Sequence, residues 1–328
     1  MPKIVSVVPK WRFDAVGVPV PETWEMVFVG AEDDAALQKA CEGADVLLAP
    51  SGFQKVNADL LRRNPQLKLV QASGAGFDGV DLAAARELGI PVANVPGANA
   101  HDVAEYTIGL MIAMQRDMIV ADRETKNGHF SKVRKQMFLR GLGDMPGSTI
   151  GLVGLGAIGR RVAEIARFLG AKVVYYNRTR LAPAQENDLG IEYRSLPELL
   201  AQSDIVSLHI PLTAETRGLI GKKEMLLMKS SSTLINTARG DIVDQTALAE
   251  MLESGRIAGA AVDVFYPEPP PADHPLLNLS SAARDRLIVT PHMGGVTANS
   301  FRRMLNGAIE NIRRVCDGEG PQNVVNGL

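Results

Sequence analysis

The segment Thr149-Ile-Gly-Leu-Val-Gly154-Leu-Gly156-Ala157-Ile158-Gly159-Arg-Arg-Val-Ala limits the fold of this chain more than any other. A glycine spacing of this kind alone says little. Here an apolar run precedes it, an amphipathic run follows it, and a second apolar run, Val173–Tyr176, comes about twenty residues later. That context is a strand, a tight turn, a helix and a parallel strand. Gly154 permits the turn, Gly156 lets a pyrophosphate approach the backbone, and Gly159 lets helix and strand pack closely. The amides of Ala157 and Ile158 then face phosphate oxygens from the positive end of the helix. A dinucleotide-binding unit is the reading; the alternative is a glycine-rich turn with no ligand.

The rest of the chain repeats the alternation of short apolar runs with longer helical patterns, which specifies parallel α/β architecture. Strands are expected at Ile4–Val8, Met26–Val29, Val46–Ala49, Leu67–Gln71 and Val92–Asn94. A second series is expected at Ile150–Val153, Val173–Tyr176, Ile205–Ile210, Thr233–Asn236, Gly259–Val262 and Leu287–Thr290. Helices are expected at Asp34–Cys41, Ala58–Arg63, Ala298–Asp317 and, unbroken, Asp102–Arg123. At 328 residues the chain exceeds what one core usually supports. The closing helix is too short to be a domain, so the layout expected is discontinuous. Residues 1–100 with 296–328 form a substrate domain, and 101–295 a dinucleotide domain.

A net charge of −2 supplies no global basic field, so neither nucleic acid nor an anionic membrane surface is an expected partner. An anionic substrate must instead meet a few placed cations. Cys41 and Cys316 have neither disulfide-framework nor zinc-ligand spacing, and no metal site is expected. The start of the chain reads as a strand rather than a leader, and no apolar run reaches membrane-spanning length. A cytoplasmic protein is expected.

The end of the second dinucleotide strand reads Asn177-Arg178-Thr179-Arg180. A carboxylate at the Asn177 position would bind a ribose 2′-hydroxyl and repel a 2′-phosphate; here it is absent and two arginines flank a hydroxyl. NADP(H) is therefore preferred, with NAD(H) as the alternative cofactor. The plainer account makes Arg178 and Arg180 solvated loop charges.

Three more charged residues fall just after expected strands, at the edge where open α/β sheets bind ligands: Arg239, Glu268 and His292. Arg239 offers a planar fork for a carboxylate and a keto oxygen. His292 can donate a proton to that oxygen as hydride reaches carbon. Glu268, bonded to the other ring nitrogen, would fix the tautomer. Singly, each could be a structural ion-pair partner, a loop charge or a packing residue. Together, downstream of a dinucleotide turn, they form a site for reduction of a small 2-keto acid.

In these residues the chain resembles the D-isomer-specific 2-hydroxyacid dehydrogenase family, along essentially its whole length. The motifs appear in order: Gly154 to Gly159, His209-Ile-Pro211-Leu-Thr, Asn236-Thr237-Ala238-Arg239-Gly, Asp263-Val-Phe-Tyr-Pro-Glu268-Pro and Thr290-Pro-His292. The resemblance implies a flavodoxin-like substrate domain, a Rossmann NAD(P)-binding domain and a homodimer. It implies Arg239 as substrate-orienting, Glu268 as support of the histidine and His292 as acid/base. It implies that Pro211, Thr216, Thr237, Ala238, Asp263, Gly294 and Gly295 line the cofactor, with Asp263 on the nicotinamide carboxamide. It implies that Ser51 and the amides of Ala75 and Gly76 receive substrate.

Departures from the family pattern narrow the expectation. Asn177 is similar to the glyoxylate and hydroxypyruvate reductase branch, where such arginines accompany NADPH. Leu48-Ala-Pro50-Ser51-Gly-Phe53 lacks the arginine that 3-phosphoglycerate dehydrogenases direct at a phosphate. Arg140-Gly-Leu-Gly-Asp-Met-Pro-Gly147 also differs from the family's usual lead, and nothing in the residues explains it. Two alternatives stay open: an NAD-linked D-lactate-type enzyme, and a nucleotide-sensing protein similar to the family's corepressors.

Overall fold

In residues 1–51 and 55–328, which this computed structural model describes, the apolar runs become short parallel strands. The chain divides into two units, Met1–Asn99 with Val296–Leu328, and Ala100–Gly295.

In the first unit the strands are β1 (Lys3–Ser6), β2 (Glu25–Phe28), β3 (Val46–Ala49), β4 (Leu69–Ala72) and β5 (Val92–Ala93). They form an all-parallel sheet in the order β2-β1-β3-β4-β5, the flavodoxin-like arrangement. β3 and β4 are buried at every position; β3 is a continuous apolar run without alternation, and β4 departs from one only at Gln71, whose side chain is hydrogen-bonded to Ala72 O and Asn311. Leu37, Leu60, Leu61 and Ala85 cover one face. The closing helix Ala298–Cys316 places Leu305, Ala308 and Ile312 with Ile4, Val46 and Leu69 on the other. After it the tail reaches β5: Val325 donates its N–H to Val92 O, and the Asn326 side chain bonds Val92 N and Ile90 O.

The second unit contains β6 (Thr149–Val153), β7 (Lys172–Tyr176), β8 (Glu192–Tyr193), β9 (Ile205–Leu208), β10 (Thr233–Asn236), β11 (Gly259–Val262) and β12 (Leu287–Val289). The order β12-β11-β10-β9-β6-β7-β8 is all parallel and reverses direction between β6 and β9. That switch point is where doubly wound sheets open a ligand crevice at their carboxyl edge. Helices Ala100–Gln115 and Ala157–Phe168 pack Ala104, Ile108, Met111, Val162 and Ala166 on one face, and Leu199, Leu248 and Leu252 lie on the other.

Two expectations change. β8 went unread because two residues, one of them Glu192, carry no periodic signal. The unbroken helix Asp102–Arg123 is instead Ala100–Gln115 followed by Met118–Lys126, with Asp117 between them at φ +46°. Asp tolerates the left-handed region better than most side chains. Beyond it the second helix buries no residue, so no core face holds the pieces in line.

Candidate active site

β6 ends at Val153 and the chain turns at Gly154, whose φ is +101° and where a Cβ would lie 2.5 Å from the His209 carbonyl oxygen. At Gly159 a Cβ would lie 2.2 Å from Gly154 O, so helix and turn touch backbone to backbone. At Gly156 no atom lies within 4 Å of the Cβ position, which leaves that surface open to a ligand. Ala157 and Ile158 open the helix there. A pyrophosphate fits this cradle by shape and by helix polarity.

The turn is braced from β7. Gly154 N–H donates to Tyr176 O at 2.9 Å, and Leu155 N–H donates to Asn177 Oδ1 at 2.8 Å. Asn177 is thus a strut beneath the turn, a role its sequence position did not announce. Arg178 and Thr179 are exposed, and Arg178 makes no ion pair among the described residues. Glu215 is held below the usual carboxylate range by the Thr213 hydroxyl first, with the charge of Arg178 adding to it.

Arg180, expected with Arg178 beside the cofactor, is ion-paired within the protein. Its Nε and Nη2 both donate at 2.8 Å to the carboxylate of Glu186, which is only 9% exposed. The buried Tyr175 hydroxyl donates to the same carboxylate at 2.7 Å and accepts Leu181 N–H at 2.9 Å. Arg180, then Tyr175, push the Glu186 carboxyl down to about 2. The fork of Arg180 is committed to holding its loop.

After β9, Thr216 Oγ1 accepts Thr213 N–H at 2.8 Å and donates to Pro211 O at 2.7 Å, closing a small turn. His209 Nε2 lies 2.9 Å from Ser207 Oγ, and desolvation pushes its imidazole down to about 3. The folded chain keeps this ring neutral, whereas the unfolded chain protonates it from its ordinary value of 6.5 downward. Protons therefore favour unfolding throughout that window. Thermal midpoints should fall between about pH 7 and about pH 5, above the range where paired carboxylates titrate. His209→Gln should flatten that slope; an unchanged slope would remove His209 as its cause.

Three loops at the other side of the switch point carry Arg239, Glu268 and His292. After β10 the buried Asn236 accepts Ala238 N–H at 3.1 Å and donates from Nδ2 to Arg239 O at 2.9 Å. Thr237 Oγ1 lies 2.9 Å from Thr107 Oγ1, and Arg239 Nη1 donates to Ala238 O at 2.7 Å. Gly240 then meets the next loop: a Cβ there would lie 2.2 Å from the Phe265 carbonyl. Only a glycine lets these two backbones approach so closely.

After β11 comes Asp263, 1% exposed. Its carboxylate accepts the Thr290 hydroxyl at 2.6 Å, Met293 N–H at 2.8 Å and Gly294 N–H at 2.8 Å. These bonds bracket His292, whose N–H donates to Asp263 O at 2.8 Å and whose φ is +56°. Left-handed backbone at a non-glycine costs about 1–3 kcal/mol and persists only where surroundings enforce it. The resemblance implied Asp263 as a partner of the nicotinamide carboxamide; in this structure its oxygens fasten the His292 loop, which residue order could not show. Gly295 follows, half-buried.

The outcome is a 2.6 Å contact between His292 Nδ1 and Glu268 Oε1. Burial pushes the Glu268 carboxyl up, but the hydrogen bond and charge of His292, Phe265 N–H and the charge of Arg239 together leave it below its ordinary value. An ionised carboxylate only accepts, so Nδ1 carries the hydrogen and Nε2 is the nitrogen left to exchange a proton. The structure brings Glu268 and His292 into contact, with Arg239 near enough for its charge to act on the same carboxylate.

In the first unit, Ser51 is exposed and Ala75 and Gly76 are half-buried in the loop after β4. Phe53, read alongside Ser51, lies outside the described residues. No group of His, Cys, Asp and Glu among the described residues could hold a metal ion, and no helix there is long and apolar enough to cross a membrane.

Residues 108–294 match the D-isomer specific 2-hydroxyacid dehydrogenase, NAD binding domain family. The chain belongs to this family. A glyoxylate reductase of Aeropyrum pernix is 41% identical over 275 residues, covering 83% of this chain and 80% of that protein. A D-3-phosphoglycerate dehydrogenase of Methanocaldococcus jannaschii is 37% identical over 301 residues, 92% of this chain and 55% of that protein. A crystal structure of a glyoxylate reductase from Paecilomyes thermophila superimposes with a TM-score of 0.82 at 30% identity, over 99% of this chain and 98% of that one. This 2-hydroxyacid dehydrogenase is accordingly an oxidoreductase with an NAD-binding domain.

Proposed function

We propose that this dehydrogenase interconverts a small 2-keto acid of the glyoxylate or hydroxypyruvate type and its 2-hydroxy acid, with NADP(H) preferred over NAD(H). The observation that carries the chemistry is the 2.6 Å pair of His292 and Glu268, held by a strained backbone, with the charge of Arg239 acting on the same carboxylate. When bound, the nicotinamide supplies or accepts the hydride. His292 Nε2 gives a proton to the substrate oxygen in reduction and takes it back in oxidation. Glu268 stabilises the imidazolium and fixes its tautomer. Arg239 polarises the keto oxygen and orients the carboxylate through its planar fork. The unit 100–295 is the dinucleotide domain, where Gly154 to Gly159 hold the pyrophosphate, Pro211, Thr216, Thr237, Ala238, Asp263, Gly294 and Gly295 line the cofactor, and Arg178 with Thr179 faces the 2′-phosphate. The unit 1–99 with 296–328 is the substrate domain, contributing Ser51 and the amides of Ala75 and Gly76.

Of the two arginines, Arg178 carries the cofactor preference in this reading. Arg178→Ala should weaken NADPH at least about 10-fold while barely changing NADH, as loss of a charge-assisted phosphate contact requires. Arg180→Ala should lower the thermal midpoint and affect both cofactors alike. Equal effects on the two cofactors in Arg178→Ala would reject the 2′-phosphate assignment. Initial rates with NADPH and NADH over glyoxylate, hydroxypyruvate, pyruvate and phenylpyruvate test the whole reading. Tight NADPH binding with no turnover on any of them would favour a sensor.

A homodimer in the cytoplasm completes the proposal. The helices Met118–Lys126 and Phe130–Arg140 bury only Val133 between them yet expose Ile119 at 56%, Phe130 at 59% and Phe138 at 85%. Apolar side chains gathered on so little core suit a surface that a second copy covers.

A further inference from the structure

We infer that Asn94 is a positioning residue for substrate, acting through the peptide groups that present the Ala75 and Gly76 amides. The inference rests on the keto-acid reading and adds a mechanism inside the first unit.

A trans peptide holds its C=O and the next residue's N–H on opposite sides, so fixing one direction fixes the other. The Gly74 carbonyl accepts Val95 N–H at 2.9 Å. The Ala75 carbonyl accepts Asn94 Nδ2 at 2.7 Å. Both peptides are therefore turned with their oxygens toward the segment that follows β5. The N–H groups of Ala75 and Gly76 point the other way, and among the described residues neither has a protein acceptor. Two adjacent amides aimed together, with their carbonyls held back, form an anion-binding concavity.

Asn94 is well suited to this work. It is 8% exposed, and its own backbone is fixed by donation of N–H to Asn323 O at 3.3 Å in the tail that pairs with β5. Gly74 packs tightly beneath: a Cβ there would lie 2.7 Å from Ser51 Oγ and 2.8 Å from Met304 Sδ. That leaves the loop little freedom except rotation of the 75–76 peptide, which the Asn94 bond opposes. Without that bond the Ala75 oxygen can swing toward an incoming carboxylate and turn the Gly76 N–H away. An ionised Asp at the same place would repel the Ala75 carbonyl as well as the substrate.

The test uses the full-length enzyme and the variants Asn94→Ala and Asn94→Asp, assayed with glyoxylate and with methyl glyoxylate, which lacks the carboxylate. KM for glyoxylate should rise roughly 10- to 100-fold, more for Asp than Ala, as loss of an oriented charge-assisted contact predicts. kcat and NADPH affinity should stay near wild type, and the preference for acid over ester should fall about as much as KM rises. An unchanged acid-to-ester ratio overturns the inference, whether activity is intact or both substrates lose equally with a lowered thermal midpoint. Failure of the keto-acid reading would show separately, as wild-type enzyme that turns over neither compound.

Discussion

His292→Ala should lower reductive kcat by about 10²–10⁴-fold and leave NADPH affinity within a small factor of wild type. The expectation follows from where the residue sits. Its imidazole bonds Glu268, while the backbone of its loop is fastened by Asp263 through Thr290, Met293 and Gly294. Removing the ring deletes the proposed proton donor without cutting those bonds, and alanine in the left-handed backbone costs at most about 1 kcal/mol more than histidine. Glu268→Gln should produce a smaller loss and change the pH profile, because the ring keeps a partner but the imidazolium loses a charge. Pre-steady-state proton uptake and fluorescence titration of NADPH separate the two effects. A His292→Ala enzyme that fails to bind NADPH would assign the residue a structural task instead.

The parallel sheets were legible because buried strands such as Val46–Ala49 and Gly259–Val262 are apolar at every position and bounded by turns. The glycine turn was legible because each glycine answers a steric demand that sequence context already implied. Arg239, Glu268 and His292 were legible as residues, each after a strand, but not as a geometry. What joins them is Gly240 against Phe265 and Asp263 against three donors, contacts that cross between strands and leave no local pattern. Arg180 illustrates the converse. An arginine in a phosphate-flavoured motif looked available until its partner, six residues on at Glu186, appeared on the next helix with Tyr175 beside it. A buried carboxylate at that position gives no sign in sequence of which cation it will hold. The break at Asp117 was hidden for a related reason. Periodicity reports apolar faces, and Met118–Lys126 buries none.

Arg239→Lys should raise KM for the keto acid at least about 100-fold, and lower kcat as well, while stability changes little. The loop that carries residue 239 is fixed independently of its side chain, by Asn236 bonding Ala238 N–H and the residue 239 carbonyl and by Gly240 seated against Phe265. Lysine therefore keeps the backbone and the charge, so the substitution isolates geometry. A carboxylate bound in two parallel hydrogen bonds and a keto oxygen polarised by the same group require a planar fork, which one ammonium cannot reproduce. Part of the positive field survives, so Glu268 stays below its ordinary value and the His292 pair should persist; the acid limb of the pH profile should keep its position. Guanidine added to an Arg239→Ala enzyme should restore more activity than methylamine does, since only the planar cation offers two parallel donors. Wild-type KM in the lysine variant, or equal rescue by the two amines, would mean that charge alone suffices and that Arg239 does not orient the acid.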